Sequence, residues 1–229
     1  MLTANQKQMV YWILERNNIR KQKEAGKPKP WSDNPVMQNT YFCNVNREDD
    51  RVTKWIRQNW TYPTLIDELG CEEDTAESYT FAIVVARIFN QPGTLAELMQ
   101  PIDFDEGLGL WIENADTVLA ERKAAGKRIW NGAYIISTNG KKMPKADYCL
   151  YLLEKLAQHK DIVDNAVTLA DAHKRLTTVE GLASFLAAQV VADLKNTKGH
   201  PLACAPDWFS FSAPGPDSLR GLTWIWEET

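Results

Sequence analysis

The segment Phe42–Trp55, which reads FCNVNREDDRVTKW, gathers the side chains with the most evident chemistry in this sequence. An arginine can hold two phosphate oxygens at once, an asparagine can hydrogen-bond a base edge, and an aspartate can accept a proton from an attacking nucleophile. An exposed helix with several ion pairs is the alternative explanation of such a charged run. The chemical interpretation makes Arg47, Asp49, Asp50 and Arg51 candidate catalytic residues, and Asn44 and Asn46 candidate substrate-binding residues.

A second set of polar residues lies on apolar helical segments. Gln189 and Asp193 are four apart, so they share one face of a segment that is otherwise apolar. A buried carboxylate beside an amide is costly unless both groups have partners. The pair therefore fits either a pocket that binds a base and activates a nucleophile, or an ordinary polar contact between packed helices. Arg87 and Asn90 end another apolar segment and are polar groups at the edge of the predicted core.

The segment Leu176–Leu194 has the outline of a helix-hairpin-helix element, with a turn at Glu180, Gly181 and Leu182. In such a hairpin a glycine lets the backbone approach a DNA phosphate, so Gly181 is a candidate DNA-binding residue. A second glycine expected two positions later is replaced by Ala183, and an ordinary hairpin of two helices is the alternative.

Two further segments could contact an anion. The tail Ala213–Leu222 offers Gly215 for close backbone approach and Arg220 for charge, although a plain loop rich in proline and glycine is the favoured explanation. Glu15–Pro30 is predicted to be a cationic loop because its glycine and prolines oppose a continuous helix. Its candidate DNA-binding residues are Arg20, Lys21, Lys23 and Lys27.

The elements that position these residues are predicted to be helices, since apolar residues recur at helical spacing along most of the chain. The run 133–137 is strand-like but cannot form a sheet by itself. We therefore expect a mainly α fold with at most a minor strand element, built as a single domain over 1–229 with an irregular C-terminal tail. The predicted helices cover residues 4–18, 46–60, 75–90, 94–99 after a Thr94/Glu97 capping box, 113–125, 146–159 and 178–196.

Composition narrows the class of protein. The chain has 229 residues, 44% of them hydrophobic and 24% charged, which is typical of a soluble globular protein. Its net charge of -4 argues against a uniformly basic protein that coats nucleic acid without regard to sequence. DNA binding would therefore depend on local basic patches such as 15–30 and 119–147. The four cysteines are widely spaced, which favours free thiols in a reducing cytoplasm over a zinc site. No signal peptide, membrane-spanning segment or phosphate-binding loop is apparent.

Several motifs in chain order resemble the helical domain of phage thymine-hypermodification enzymes. That group includes α-glutamyl/putrescinyl thymine pyrophosphorylases, also called amino acid:DNA transferases, and the helical domain attached to 5-hydroxymethyluracil DNA kinases. The resemblance covers nearly the whole chain, and its most specific block is NVNREDDR. The motifs are ERNNIRK (15–21), KPWSDNP (29–35), FCNVNREDDRVTKW (42–55), ARIFN (86–90), GAYIIS (132–137), FLAAQVVADL (185–194) and PGPDSLRGL (214–222).

The resemblance implies a fold related to helix-hairpin-helix DNA glycosylases, and it favours a stand-alone transferase because the sequence shows no kinase domain. The reaction it implies displaces pyrophosphate from a modified thymine with an amino acid or polyamine. Arg47, Arg51, Arg87 and Arg220 would then hold the leaving group. Proton acceptors would be Asp49, Asp50 or Asp193, base readers would be Asn44, Asn90 or Gln189, and stacking aromatics would be Trp31, Tyr41 and Phe42.

Arg47 and Asp50 are the sharpest pair, because three-residue spacing on a helix would let both serve one pocket. The implied partners are double-stranded phage DNA carrying modified thymine and an amino acid or polyamine co-substrate, with no membrane. The implied location is the cytoplasm of the infected bacterial host. The sequence indicates no cofactor with certainty, and it leaves open a divalent metal, the donor and the oligomeric state.

Two other functional classes compete with the transferase. A glycosylase would need an acid or lysine soon after the hairpin, where Asp207 and Asp217 stand in apparently irregular sequence. A non-catalytic DNA-binding module serving a partner 5-hydroxymethyluracil DNA kinase is the third, and the acidic net charge opposes it mildly.

Overall fold

In a computed structural model, the described residues are 1–61, 76–99, 108–132, 136–159 and 161–226. These ranges contain helices, turns and loops and no strand, which confirms the mainly α prediction. Of the strand-like run 133–137, the first three residues lie outside the described ranges and the other two are in a loop. The α-helices are α1 (Ala4–Glu24), α2 (Pro35–Asn39), α3 (Arg51–Ile56), α4 (Ala76–Phe89), α5 (Pro92–Leu98), α6 (Leu108–Ala124), α7 (Lys145–Ala157), α8 (Leu169–Leu176), α9 (Ser184–Leu194) and α10 (Pro216–Trp226).

Helix α1 is longer than the sequence pattern predicts. Thr3 and Gln6 form a capping box at its start, and Gly26, with φ of 67°, follows its end. The predicted cationic loop is therefore wrong for residues 15–24, because its Lys, Arg, Gln and Glu residues are good helix formers and Gly26 stands beyond them. The basic side chains of this stretch consequently have helical spacing.

The predicted helix over 46–60 is divided into three parts. Arg47–Asp49 form a single 3-10 turn, α3 follows, and Arg57–Thr61 continue as a π-helix. Asp50 has extended backbone, with φ of -67° and ψ of 132°, and its Oδ2 accepts the Thr53 N–H at 2.8 Å. Arg47 and Asp50 are thus not on one helix, and their predicted shared face is wrong because Asp50 caps the start of α3 instead.

Two compact units are recognisable, 1–53 with 214–229, and 54–213. In the first unit α1 packs against α10, and Asn5 Nδ2 donates to the Trp224 carbonyl at 3.2 Å. The tail predicted to be irregular is helical over α10, where Pro216 and Asp217 occupy positions that favour a helix start. The expectation of one domain over the whole chain stays a prediction.

The second unit contains the apolar core. Residues Phe81 to Ala86 of α4 are each at most 1% exposed, as their continuous apolar run predicts. Helix α4 packs against α7 and α9, and α9 also packs against α8. Within the described part of the chain, no helix is long and apolar enough to cross a membrane.

Three helix starts of the second unit differ from the predicted ones. Helix α5 starts at Pro92, so Thr94 lies inside it. The buried Thr94 hydroxyl donates to the Ile129 carbonyl at 2.8 Å and does not cap the helix start. Helix α9 starts at Ser184 because residues 177–183 form the turn from α8. Helix α6 begins at Leu108 and ends before Gly126, whose φ is 65°.

Candidate functional site

The first unit encloses a cavity of about 780 Å³ between α1 and the segment 29–49. This volume is within the usual range for small-molecule sites. Its lining combines three kinds of side chain: the cations Arg16, Arg20, Lys23 and Lys29; the aromatics Trp31, Tyr41 and Phe42; and a polar set that includes Asn39, Asn44 and Asp49.

Arg16 fixes part of the cavity wall. Its guanidinium lies 4.7 Å from the centroid of the Trp12 ring and 5.1 Å from that of Phe42, so cation–π attraction holds it between the two aromatics. One of its nitrogens donates to the Cys43 carbonyl. Trp12 and Phe42 also meet edge to face, with centroids 6.1 Å apart. These contacts attach the segment that carries Asn44 to the middle of α1.

Trp31 is held at the cavity by its backbone and its ring. Its indole N–H donates to the Lys27 carbonyl at 2.7 Å, and its own carbonyl accepts from Gln22 Nε2 at 3.1 Å. Lys29 Nζ lies 5.1 Å from the ring centroid. The following turn is fixed by Asn34, whose side chain caps α2. Trp31 is thereby presented to the cavity in a defined position.

The cavity brings together residues that the sequence assigned to three different tasks. Asp49 was a candidate proton acceptor, Asn44 a candidate base reader, and Arg20 and Lys23 candidate DNA contacts. Arg47, Asp50, Arg51 and Asn46 belong to the same motif but do not line this cavity. Asn46 instead caps the 3-10 turn, since its Oδ1 accepts the Glu48 N–H at 3.2 Å.

Comparison with known proteins decides the family. The model of the family described as "5-hmdU DNA kinase, helical domain" matches residues 3–229. The chain belongs to this family. A protein named 5-hmdU DNA kinase from Bacillus phage SP10 is 26% identical over 237 residues, which cover 94% of this chain and 35% of that protein. The chain thus spans about a third of the length of that relative. No solved structure matches the chain significantly.

Arg87 and Asp193, two separately predicted catalytic residues, lie in the core of the second unit of this helical domain. Arg87 Nη2 donates to Asp193 Oδ1 at 2.8 Å, and Arg87 Nε donates to the other carboxylate oxygen. Their side chains are 1% and 0% exposed. Arg87 Nη1 also donates to Asn90 Oδ1 at 3.1 Å. The structure therefore gives these three residues a packing role between α4 and α9, and their chemical roles stay predictions.

Arg57 completes this buried network from the π-helix. Its Nη2 donates to the Asp193 carbonyl at 3.0 Å, and its Nη1 donates to Thr197 Oγ1 at 2.9 Å. Sequence reasoning did not single out Arg57, because nothing in its local pattern connects it to a residue more than a hundred positions away. Gln189, one turn before Asp193, is half-buried on α9.

The remaining predicted DNA contacts, and the candidate substrate-binding residue Arg220, are exposed on the surface. Lys21 and Lys27 are exposed at and after the end of α1, and neither lines the cavity. Arg220 is exposed on α10 and pairs with Asp217 at 2.8 Å. Gly215 precedes α10, and its carbonyl accepts the Leu219 N–H at 2.9 Å. No structural feature groups these four residues into one site.

Gly181 has a packing requirement that the hairpin interpretation did not anticipate. Its φ is 85°, and a Cβ added there would lie 2.3 Å from Leu152 Cδ2 of α7. Added bulk at Gly181 would therefore disturb the packing of this turn against α7, because the buried Leu152 side chain would have to move. Whether the Gly181 amide contacts DNA stays a prediction.

The turn that contains Gly181 is also joined to a basic loop. Lys141 Nζ lies 2.9 Å from Glu180 Oε1, and Tyr151 donates to the same carboxylate at 2.8 Å. The hydrogen bond from Lys141 and, to a lesser degree, that from Tyr151 hold the pKa of Glu180 below its usual value. The structure thus places one part of the basic segment 119–147 beside the hairpin.

The carboxylates considered for a glycosylase have structural partners. Asp207 accepts the backbone N–H groups of Leu169 and Ala170 at 2.8 and 3.0 Å, and so caps α8 from a distant part of the chain. Burial acts to raise the pKa of Asp207, but the N–H donors bring it below its usual value. Among the described residues there is no cluster of three His, Cys, Asp or Glu residues that could hold a metal ion.

Proposed function

We propose that this helical domain modifies thymine-derived bases in double-stranded phage DNA as an amino acid:DNA transferase. The observation that carries the proposal is the cavity of the first unit, whose described lining combines aromatic rings, cations, amides and the Asp49 carboxylate. A phosphorylated pyrimidine needs this combination, because its ring stacks, its amide edges accept and donate hydrogen bonds, and its phosphoryl group attracts cations.

The proposed reaction is a displacement at the 5-methylene carbon of 5-pyrophosphoryloxymethyl-uracil. The amine nitrogen of an amino acid or polyamine forms the new C–N bond, and the C–O bond to pyrophosphate breaks with its electron pair going to the departing oxygen. The proton released by the attacking amine passes to the Asp49 carboxylate. Asn44 hydrogen-bonds the pyrimidine edge, and cations stabilise the charge that develops on the leaving group.

The family supports the substrate class. A relative is named a 5-hmdU DNA kinase, and this chain aligns with about a third of it. A kinase acting on hydroxymethylated DNA would produce a phosphorylated base, which is the kind of electrophile that a displacement requires. On this proposal the protein works on phage DNA in the cytoplasm of the infected bacterium.

A target base in duplex DNA reaches such a cavity only after it leaves the helical stack. Trp31, Tyr41 and Phe42 offer aromatic surface that replaces the lost stacking with neighbouring bases. Trp31 and Phe42 are half-buried, whereas Tyr41 is 96% exposed, so Tyr41 is the aromatic with most surface left to cover. We therefore assign base stacking first to Tyr41.

Mass spectrometry of nucleosides tests the proposed function. The full chain is incubated with DNA containing 5-pyrophosphoryloxymethyl-uracil, pooled amino acids and putrescine, and the DNA is then digested to nucleosides. The control DNA contains 5-hydroxymethyluracil without phosphate. We expect an amine-substituted nucleoside from the phosphorylated DNA alone, with one pyrophosphate released for each product. Free base would indicate a glycosylase instead, and DNA binding without any product would indicate a non-catalytic module that serves a kinase.

A further inference from the structure

The cavity face of α1 carries three cations in register. Arg16, Arg20 and Lys23 are four and three residues apart, so at 100° per residue they occupy one stripe of the helix. Lys29, from the segment after the helix, adds a fourth cation to the same cavity. Among the described residues that line the cavity, Asp49 is the single carboxylate. The cavity therefore holds more positive than negative charge, although the whole chain is acidic.

These cations differ in the interactions that they already form within the protein. Arg16 is stacked between Trp12 and Phe42 and bonded to the Cys43 carbonyl, so it shapes the wall. Arg20 Nη1 pairs with Glu24 at 2.7 Å, and its Nε donates to Asn17 at 3.2 Å.

Lys23 and Lys29 differ from both arginines in this respect. Each is exposed, and in the described part of the chain neither forms an ion pair with a carboxylate. Two ammonium groups on a cavity that holds one carboxylate repel each other unless an anion joins them. They are the groups best placed to gain a partner when a ligand binds.

We propose that Lys23 and Lys29, aided by Arg20, form a phosphoryl subsite of this cavity that takes the pyrophosphoryl group. The inference rests on the proposed function, in which the modified base carries the pyrophosphoryl group. It assigns the leaving-group contacts to these cations instead of to Arg47, Arg51, Arg87 and Arg220. Since the subsite consists of protein cations and needs no base, inorganic pyrophosphate binds it in the absence of DNA. The released pyrophosphate therefore competes with the phosphorylated base for the same cavity.

Phosphoryl groups reach this surface from two sources, the modified base and the DNA backbone. A backbone contact would strengthen binding to any duplex, modified or not, and would not favour pyrophosphate over phosphate through a two-point contact. A leaving-group subsite binds inorganic pyrophosphate more tightly than inorganic phosphate, because two phosphoryl units can contact two cations at once. The two sources thus make different predictions for small anions and for unmodified DNA.

Isothermal titration of the full chain with inorganic pyrophosphate at low ionic strength tests the subsite. The test variant is the double substitution Lys23→Ala/Lys29→Ala, and the matched control is Lys7→Ala, an exposed lysine of α1 that does not line the cavity. We expect pyrophosphate affinity to fall about tenfold or more in the double variant and to stay within about twofold in the control. Thermal melting verifies that both variants are folded.

Three results would overturn the subsite: no pyrophosphate binding by the wild type, equal loss in Lys7→Ala, or a loss confined to unmodified duplex. The nucleoside assay separates this failure from failure of the proposed function. Product formation that the double variant leaves unchanged would retain the transferase and reject the subsite. Pyrophosphate binding that depends on Lys23 and Lys29, without any nucleoside product, would retain the subsite and reject the transferase.

Discussion

Arg87 on α4 and Asp193 on α9 form a two-point ion pair in which both side chains are almost completely buried. Taking the two charges out of water is costly, so the pair depends on the remaining contacts of each group. Asn90 accepts from Arg87, while Arg57 and Thr197 both donate to the Asp193 carbonyl. The network therefore joins two core helices and the π-helix.

Removing one partner of this pair should destabilise the fold strongly. We expect Asp193→Asn to lower the free energy of unfolding by about 3–5 kcal/mol, because the Arg87 charge stays buried without its counterion. The measurement is urea unfolding followed by circular dichroism. The double variant Arg87→Met/Asp193→Leu should recover part of the loss, since it removes the two fully buried charges and leaves only the 13%-exposed Arg57 without the Asp193 carboxylate. A near wild-type midpoint for Asp193→Asn would show that the pair does not support the core.

The same network shows where sequence reasoning succeeded and where it stopped. The spacing of Gln189 and Asp193, and the position of Arg87 at the end of an apolar run, correctly marked polar groups in a buried setting. The sequence could not show that Arg87 and Asp193 meet each other, because the contact joins helices 106 positions apart. From the sequence alone, these residues could therefore either line a pocket or form a polar contact between packed helices.

The charged motif 42–55 shows a different limit. Its composition drew attention to Asn44 and Asp49, which line the cavity, and their chemical roles stay predictions. Periodicity suggested a continuous helix, but Asn46 and Asp50 each bond a nearby backbone N–H and start new helical turns. Asn and Asp compete for backbone groups in this way, which breaks a helix that apolar spacing alone would predict.

Arg16 and Lys29 were present in the basic segment but were not selected as site residues. The signal that could have identified Arg16 is its spacing from Arg20 and Lys23, which becomes visible only when the helix is extended to Glu24. Lys29 lies beyond the helix, and no local pattern relates it to the stripe. The periodicity of apolar residues thus predicts the fold class. The cationic side of the cavity could not be predicted, because it depends on the extension of α1 to Glu24.

Gly181 offers a test of packing with a natural control. Its φ of 85° resembles the 88° of Gly199, but an added Cβ meets Leu152 at Gly181 and nothing within 4 Å at Gly199. We expect Gly199→Ala to cost about 1–2 kcal/mol for the backbone conformation alone, and Gly181→Ala to cost about 1–3 kcal/mol more for the collision. Thermal melting of both variants measures the difference. Equal losses would mean that Leu152 moves aside without cost.

His200 should make the fold sensitive to acid. Burial lowers its pKa from 6.5 to about 4, its Nδ1 accepts the Leu202 N–H at 3.2 Å, and its buried Nε2 makes no hydrogen bond with the described residues. Between these two pKa values the unfolded chain binds a proton that the folded chain does not, so stability is full above pH 6.5 and falls toward pH 4. The loss from this group is at most about 3 kcal/mol.

Urea unfolding at a series of pH values between 7 and 4 measures this dependence. We expect unfolding to be accompanied by the uptake of about one proton from this histidine. His200→Asn keeps an acceptor for the Leu202 N–H but does not titrate, so its stability should vary less with pH over the same interval. The comparison concerns the slope, and a uniformly lower stability of the variant does not affect it. Identical slopes for the two proteins would assign the acid sensitivity to other groups.

The central claim is that Asp49 receives a proton in the cavity of the first unit. The most direct measurement is the single-turnover rate of amine transfer to DNA containing 5-pyrophosphoryloxymethyl-uracil, made for wild type, Asp49→Asn and the exposed, non-lining control Asp33→Asn. Asp49→Asn keeps the shape of the side chain and removes the base, so its rate should fall about 100-fold or more while DNA affinity stays within about twofold. Asp33→Asn should retain the wild-type rate. A wild-type rate for Asp49→Asn, or an equal loss for Asp33→Asn, would contradict the claim.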